Sequence, residues 1–206
     1  MLRLYGYGGT PTRQQGQIAM TDQNDSSGKF RGKYRIPSAR AAWWDYAAPG
    51  AYFITICTAG RRPFFGRVAK GEMHLSPIGE IAAQYWQEIP RHTAGHVSLD
   101  VFVVMPNHVH GIIVIHDSPV AAPVTPNTDD HPMAAISPRA GSLGAIVRSY
   151  KSAVSRWCRQ NGYPEFAWQA RFHDHIIRNP REYERIAAYI VANPLNWDED
   201  RYFHEE

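Results

Sequence analysis

Two histidines, His108 and His110, stand one valine apart in the stretch VVMPNHVHGIIVIH, residues 103–116. The Val and Ile around them predict a strand. Side chains alternate along a strand, so both imidazoles project from one face and Val109 from the other. Their Cβ atoms are then about 6.5–7 Å apart, close enough to share one cation. His116 has the same parity but lies about 20 Å further along, beyond reach of that cation. A buried ring left without partners costs about 1–3 kcal/mol, so these residues are either hydrogen-bonded core histidines or ligands, and H-x-H spacing alone does not decide. A second pair, His173 and His175 around Asp174, precedes the last predicted helix. If helical, residues two apart diverge, which makes it the weaker metal candidate, although one member could complete a coordination sphere.

The elements that must position these groups follow from periodicity. A β-branched, aromatic strand spans about 51–58, followed by a short hairpin around Lys70-Gly71. Ser76 and Pro77 start a helix on the recurrence Ile78, Ile81, Ala82, Tyr85, Ile89, which stops at Pro90. Two strands joined by a tight turn at Pro106-Asn107 come next. Ser142 caps a second helix over about 143–160, with Leu143, Ile146, Val147, Tyr150, Val154 and Trp157 on one stripe. Asn179, Pro180 and Glu182 open the last helix, which ends at Asn193-Pro194. The order predicts an α+β fold: a ferredoxin-like split βαβ antiparallel sheet with helices on one face, plus a C-terminal helical extension. Residues 1–34 read as a disordered basic tail, and 35–206 as a single domain with a flexible Pro-rich loop at 117–141.

Composition narrows the function classes. The net charge is +3, but residues 1–40 hold seven Lys/Arg against two Asp, and residues 147–185 hold eight against four acids. Basic ends weakly favour a polyanionic partner, with ordinary solvated arginines as the alternative. Cys57 and Cys158 lack metal-ligand spacing and fit a reducing cytoplasm. No run reaches the roughly 18–20 apolar residues of a membrane span, and the N-terminal residues lack a signal peptide's apolar core. The expectation is a cytoplasmic protein.

The motif FVVMPNHVHGIIVI resembles the histidine–hydrophobic–histidine motif of the HUH-type single-tyrosine transposases, and most of all the REP-associated tyrosine transposases. PGAYFITICTAGR, SLGAIVRSYKSAVSRW and FAWQARFHDHIIRNPREYERIAAYIVANPLNW follow in the same order, so the resemblance covers about 35–198. It implies that His108 and His110 bind a divalent cation, Mg²⁺ or Mn²⁺, and that a tyrosine attacks a phosphodiester to leave a 5′-phosphotyrosine. It further implies single-stranded hairpin DNA as substrate and a nucleoid-associated protein, monomer or homodimer. Tyr150, on the second helix and followed by Lys151, is the expected nucleophile. Its place on the apolar stripe also allows a core aromatic, and Tyr163, Tyr183 and Tyr189 are the other tyrosines an adduct could map to. Many relatives carry the tyrosine about four residues later, where this chain has Val154. Val154 also removes a Gln-type third ligand that some relatives place one turn after their tyrosine. Arg148, Lys151, Arg156, Arg159, Arg171 and Arg178 are the expected DNA contacts, and Trp157 and Trp168 could stack on unpaired bases. The rival readings are a domesticated, cleavage-deficient hairpin-binding protein of the same fold and a metal-dependent hydrolase without a covalent step.

Overall fold

The computed structural model describes residues 45–117 and 140–199. These fall within one compact unit, residues 39–206. The predicted tail at 1–34 and nearly all of the predicted loop at 117–141 lie outside the described residues.

Strand β1 is Gly50–Cys57, β2 Gly66–Ala69, β3 Glu72–Leu75, β4 Val97–Met105, β5 His108–Ile115 and β6 His173–Ile177; the helices are α1 Pro77–Glu88, α2 Leu143–Gln160 and α3 Pro180–Ala192. Four strands form one sheet in the order β4-β5-β1-β6, and β2 pairs with β3 in a separate hairpin. Every pairing in the larger sheet is antiparallel. With the hairpin set aside, β1-α1-β4-β5-α2-β6 with this spatial order is the ferredoxin-like topology predicted from the sequence.

The helix starts also follow the sequence. The hydroxyl of Ser76 accepts from Gly79 N at 3.1 Å, and Asn179 Oδ1 accepts from Glu182 N at 2.9 Å. Each cap satisfies a first-turn N–H that has no partner inside its helix.

Two apolar clusters lie on opposite faces of the sheet. The larger joins Ile54, Ile56, Val104, Val109 and Ile113 to Ile78, Ala82 and Trp86 of α1 and to Leu143, Val147, Tyr150 and Val154 of α2. The smaller joins Ile112 to Ile186 and Ile190 of α3, with Phe53, Val101, Val103, Val114 and Ile177 against it. The C-terminal extension α3 thus covers the face that α1 and α2 leave open. On the α1/α2 side a Cβ on Gly111 would sit 2.3 Å from Trp86 Cζ2, so the missing side chain is what lets the indole lie on the sheet. Strand β6 was not among the predicted strands. Its pattern of exposed His173, Asp174 and exposed His175 carries no apolar alternation, and its pairing with β1 joins residues as distant as Ala51 and Ile177.

Candidate functional site

His108 and His110 lie on β5 with the parity of Ile112, so both face α3, as strand alternation requires. Their ring centroids are 4.3 Å apart, and both side chains are completely buried. Asn107 Oδ1 lies 2.8 Å from His108 Nδ1. An amide oxygen only accepts, so Nδ1 carries a proton in this contact. Thr55 Oγ1, across the strand pair, lies 2.8 Å from His110 Nδ1. Both rings are therefore held through Nδ1 by a neighbour, the arrangement that orients metal-ligating histidines.

The turn carrying Asn107 is itself fixed. Phe65 N donates to Pro106 O at 2.9 Å, Thr58 N donates to Asn107 O at 2.9 Å, and Thr58 Oγ1 donates to the same oxygen at 3.1 Å.

Helix α3 closes the site from above. The Tyr189 hydroxyl lies 3.3 Å from His110 Nε2, with the two rings 5.4 Å apart. Trp197, just beyond the helix, stands 6.0 Å from the His108 ring. Tyr189 is 42% exposed, so its phenol bridges solvent and the buried pair. Asn193, one helical turn after Tyr189 and on the same side of the helix, is a buried polar residue.

The residues expected to act with the histidines divide between the faces. Tyr150 is 3% exposed and belongs to the α1/α2 core. Its hydroxyl donates to Ala82 O at 3.0 Å, and its ring meets Trp86 edge-on at 5.4 Å. Burial holds its pKa far above the ordinary phenol value. The structure therefore places Tyr150, the expected nucleophile, in the α1/α2 core rather than beside His108 and His110. The helical stripe that marked it is a core stripe, and the sheet stands between its hydroxyl and the imidazoles.

Lys151 is likewise turned inward. Its Nζ donates to Gln169 O at 2.5 Å and to Ala170 O at 3.4 Å, and burial lowers its pKa to about 8. Arg148, Arg156 and Arg159 are exposed on α2, in the layer opposite the histidines, while exposed Arg171 and Arg178 bracket β6. Trp157 packs on Tyr163, and Trp168 packs on Phe65 and Tyr150 and donates to Lys151 O at 3.1 Å. Both indoles are thus partly built into the core. His175 pairs with Glu182 at 2.7 Å, and His116 pairs with Ser98 at 2.7 Å. Val154 is buried in the α1/α2 cluster.

Among the described residues, no group of three His, Cys, Asp or Glu side chains is arranged to hold a metal. The two Nδ1-anchored imidazoles are nitrogen donors of the kind that fit a divalent cation, and the buried Asn193 lies one helical turn beyond Tyr189. Asn193 is legible in the sequence as a helix stop, with Asn193-Pro194 resembling the transposases' N-P ending, whereas Thr55 and Asn107 carry no motif of their own.

The fold and site define a ferredoxin-like α+β protein with a buried histidine pair under a tyrosine-bearing helix. No family model matches the chain. An uncharacterized protein of Haemophilus influenzae (strain ATCC 51907 / DSM 11121 / KW20 / Rd) is 34% identical over 169 residues, covering 81% of this chain and 92% of that protein. The chain belongs to the same family as that protein. Among solved structures, a REP-associated tyrosine transposase bound to a REP hairpin is similar at 21% identity and a TM-score of 0.49, over 77% of this chain and 74% of the other. Among the described residues, no helix is long and apolar enough to cross a membrane.

Proposed function

We propose that this protein is a DNA strand-transferase of the REP-associated tyrosine type, with Tyr189 as its nucleophile in place of Tyr150. The observation that carries the reading is the Tyr189 hydroxyl 3.3 Å from His110 Nε2, beside a second imidazole and partly open to solvent. The motifs that resemble the transposases supply the reaction class. A divalent cation held by His108, His110 and Asn193 would supply Lewis-acid stabilisation of the scissile phosphate.

The chain's own groups do the rest. Asn107 and Thr55 fix the imidazoles. The Tyr189 oxygen bonds to phosphorus, the bond to the 3′-oxygen breaks, and the phenolic proton ends on that leaving oxygen. Attack by another 3′-hydroxyl reverses the step and restores the phenol, so strands are exchanged without an external energy source. Arg171 and Arg178, flanking β6, are the basic residues best suited to hold a strand near the site, and the α2 arginines serve a more distant part of a hairpin.

The complete burial of both imidazoles favours a second reading, a cleavage-deficient hairpin-binding protein, because a phosphate must displace Tyr189 or Trp197 to reach them. Incubation with single-stranded hairpin oligonucleotides and Mn²⁺, followed by denaturing gels and peptide mapping, separates the two. An adduct on Tyr189 supports strand transfer, an adduct on Tyr150 overturns the reassignment, and hairpin binding without any adduct supports the binder.

A further inference from the structure

We propose that Tyr183 and Asp100 are positioning residues for the Tyr189 nucleophile, setting how far along the sheet α3 is seated. The inference rests on the strand-transfer reading and extends it to residues that touch neither the histidines nor the phosphate.

The pairing of β4 with β5 slips between Leu99 and Phe102, and a slip of this kind inserts one extra residue and re-aims the side chains around it. Leu99 and Phe102 both pack against the α1/α2 cluster, although they are three residues apart and strict alternation would set them on opposite faces. The two residues between them are turned toward α3. Val101 joins the α3 cluster, and the Asp100 carboxylate accepts the hydroxyl of Tyr183, which stands in the second turn of α3. The other Asp100 oxygen accepts from Val101 N at 2.7 Å, fixing the carboxylate in the bulge.

The spacing ties this contact to the site. Val103 pairs with His110, and the bulge sets Asp100 between the Ile113 and Gly111 rungs, so it lies about 7–10 Å along the sheet from the rung that carries the imidazole. Six helical residues separate Tyr183 from Tyr189, about 9 Å. One pair of contacts therefore holds α3 at both ends of the same run, Tyr183 on Asp100 and Tyr189 at His110. Ile186 and Ile190 between them bury against Ile112, but an apolar ridge tolerates small axial shifts that a hydrogen bond does not. The first turn is closed off separately, with Glu182 accepting from Arg178 N at 2.9 Å and from His175. Burial, then the hydrogen bond to Asp100 and its charge, raise the Tyr183 pKa to about 12.

The test compares Tyr183→Phe, Asp100→Ala and Asp100→Asn in the full chain. In single-turnover cleavage of a labelled hairpin oligonucleotide with Mn²⁺, Tyr183→Phe and Asp100→Ala should be slower by roughly ten- to a hundred-fold with unchanged hairpin affinity. Asp100→Asn, whose one amide oxygen can still accept from Tyr183 while its NH₂ cannot accept from Val101 N, should recover most of the rate lost in Asp100→Ala. The double substitution should be no slower than either single one. A second readout needs no cleavage. In metal-free protein carrying 3-fluorotyrosine, the ¹⁹F resonance that disappears in Tyr189→Phe should shift or broaden in Tyr183→Phe and be largely restored in Asp100→Asn. An unshifted resonance, or full cleavage by Tyr183→Phe, overturns the proposal. An adduct that persists in Tyr189→Phe would instead overturn the strand-transfer reading, and the ¹⁹F comparison would still decide whether Tyr183 seats the helix.

Discussion

Strand β5 turns Val109, Gly111 and Ile113 toward α1 and α2, and His108, His110 and Ile112 toward α3. Each helical layer sets a tyrosine near this strand. Under α1 and α2, Tyr150 is enclosed on all sides and its hydroxyl satisfies a main-chain carbonyl of α1. Under α3, the Tyr189 ring is partly open and its hydroxyl faces an imidazole. A buried phenol bonded to a helix carbonyl contributes stability and order. A half-exposed phenol against a histidine pair has the placement that the proposed nucleophile requires. The residue type is the same in the two cases, and the environments differ.

The largest expected effect separates the two tyrosines directly. Tyr189→Phe should lose covalent adduct by about a thousand-fold or more, while Tyr150→Phe should cleave like wild type. Quantified adduct gels decide, and the comparison breaks if the two substitutions behave alike.

The next effect tests how rigid the α1/α2 side is. Gly111→Ala would drive a Cβ into Trp86 and against Phe102 and should cost roughly 1–3 kcal/mol in urea unfolding. A neutral result would mean that the indole can move and that this face is not close-packed.

On the other side, Thr55→Val removes the hydroxyl that holds His110 Nδ1 and should weaken Mn²⁺ affinity about ten-fold by calorimetric titration. An unchanged affinity would show that His110 needs no such anchor.

The smallest effect belongs to the Tyr150 hydroxyl, whose loss should cost about 1 kcal/mol. It also carries a pH signature. The folded pKa of Tyr150 is raised above the unfolded value of 10.0, so its contribution is fully present below pH 10 and is lost as pH rises beyond it. Tyr183, raised from 10.0 to about 12, loses its contribution between those values. Thermal melts from pH 8 to 11 should therefore fall above pH 10 in wild type and fall less in Tyr150→Phe.

Much of the fold was legible because local rules fix it. The caps at Ser76 and Asn179, the turn at Pro106-Asn107 and the apolar stripe of α2 were read from residue type and spacing, and the order of elements predicted the sheet. Strand β6 escaped because an edge strand with an exposed His-Asp-His pattern lacks apolar alternation. Tyr189 stood only as one of the other tyrosines an adduct could map to, because nothing in its own helix tells that α3 docks over the histidines. The β4 bulge escaped for a similar reason, since one extra residue in a strand leaves no mark on composition.

By itself, the sequence determined that His108 and His110 share a face, because a strand repeats every two residues, and that Tyr150 and Val154 share a stripe, because a helix repeats every 3.6. Periodicity describes an element about its own axis and is silent on which side of a sheet that element docks. Only the tertiary structure seated α2 behind the histidines and α3 over them, because that choice depends on crossover connections, on the bulge at Asp100 and on side chains brought together from β1, β5 and α3. The tyrosine that meets the imidazoles was decided by long-range packing.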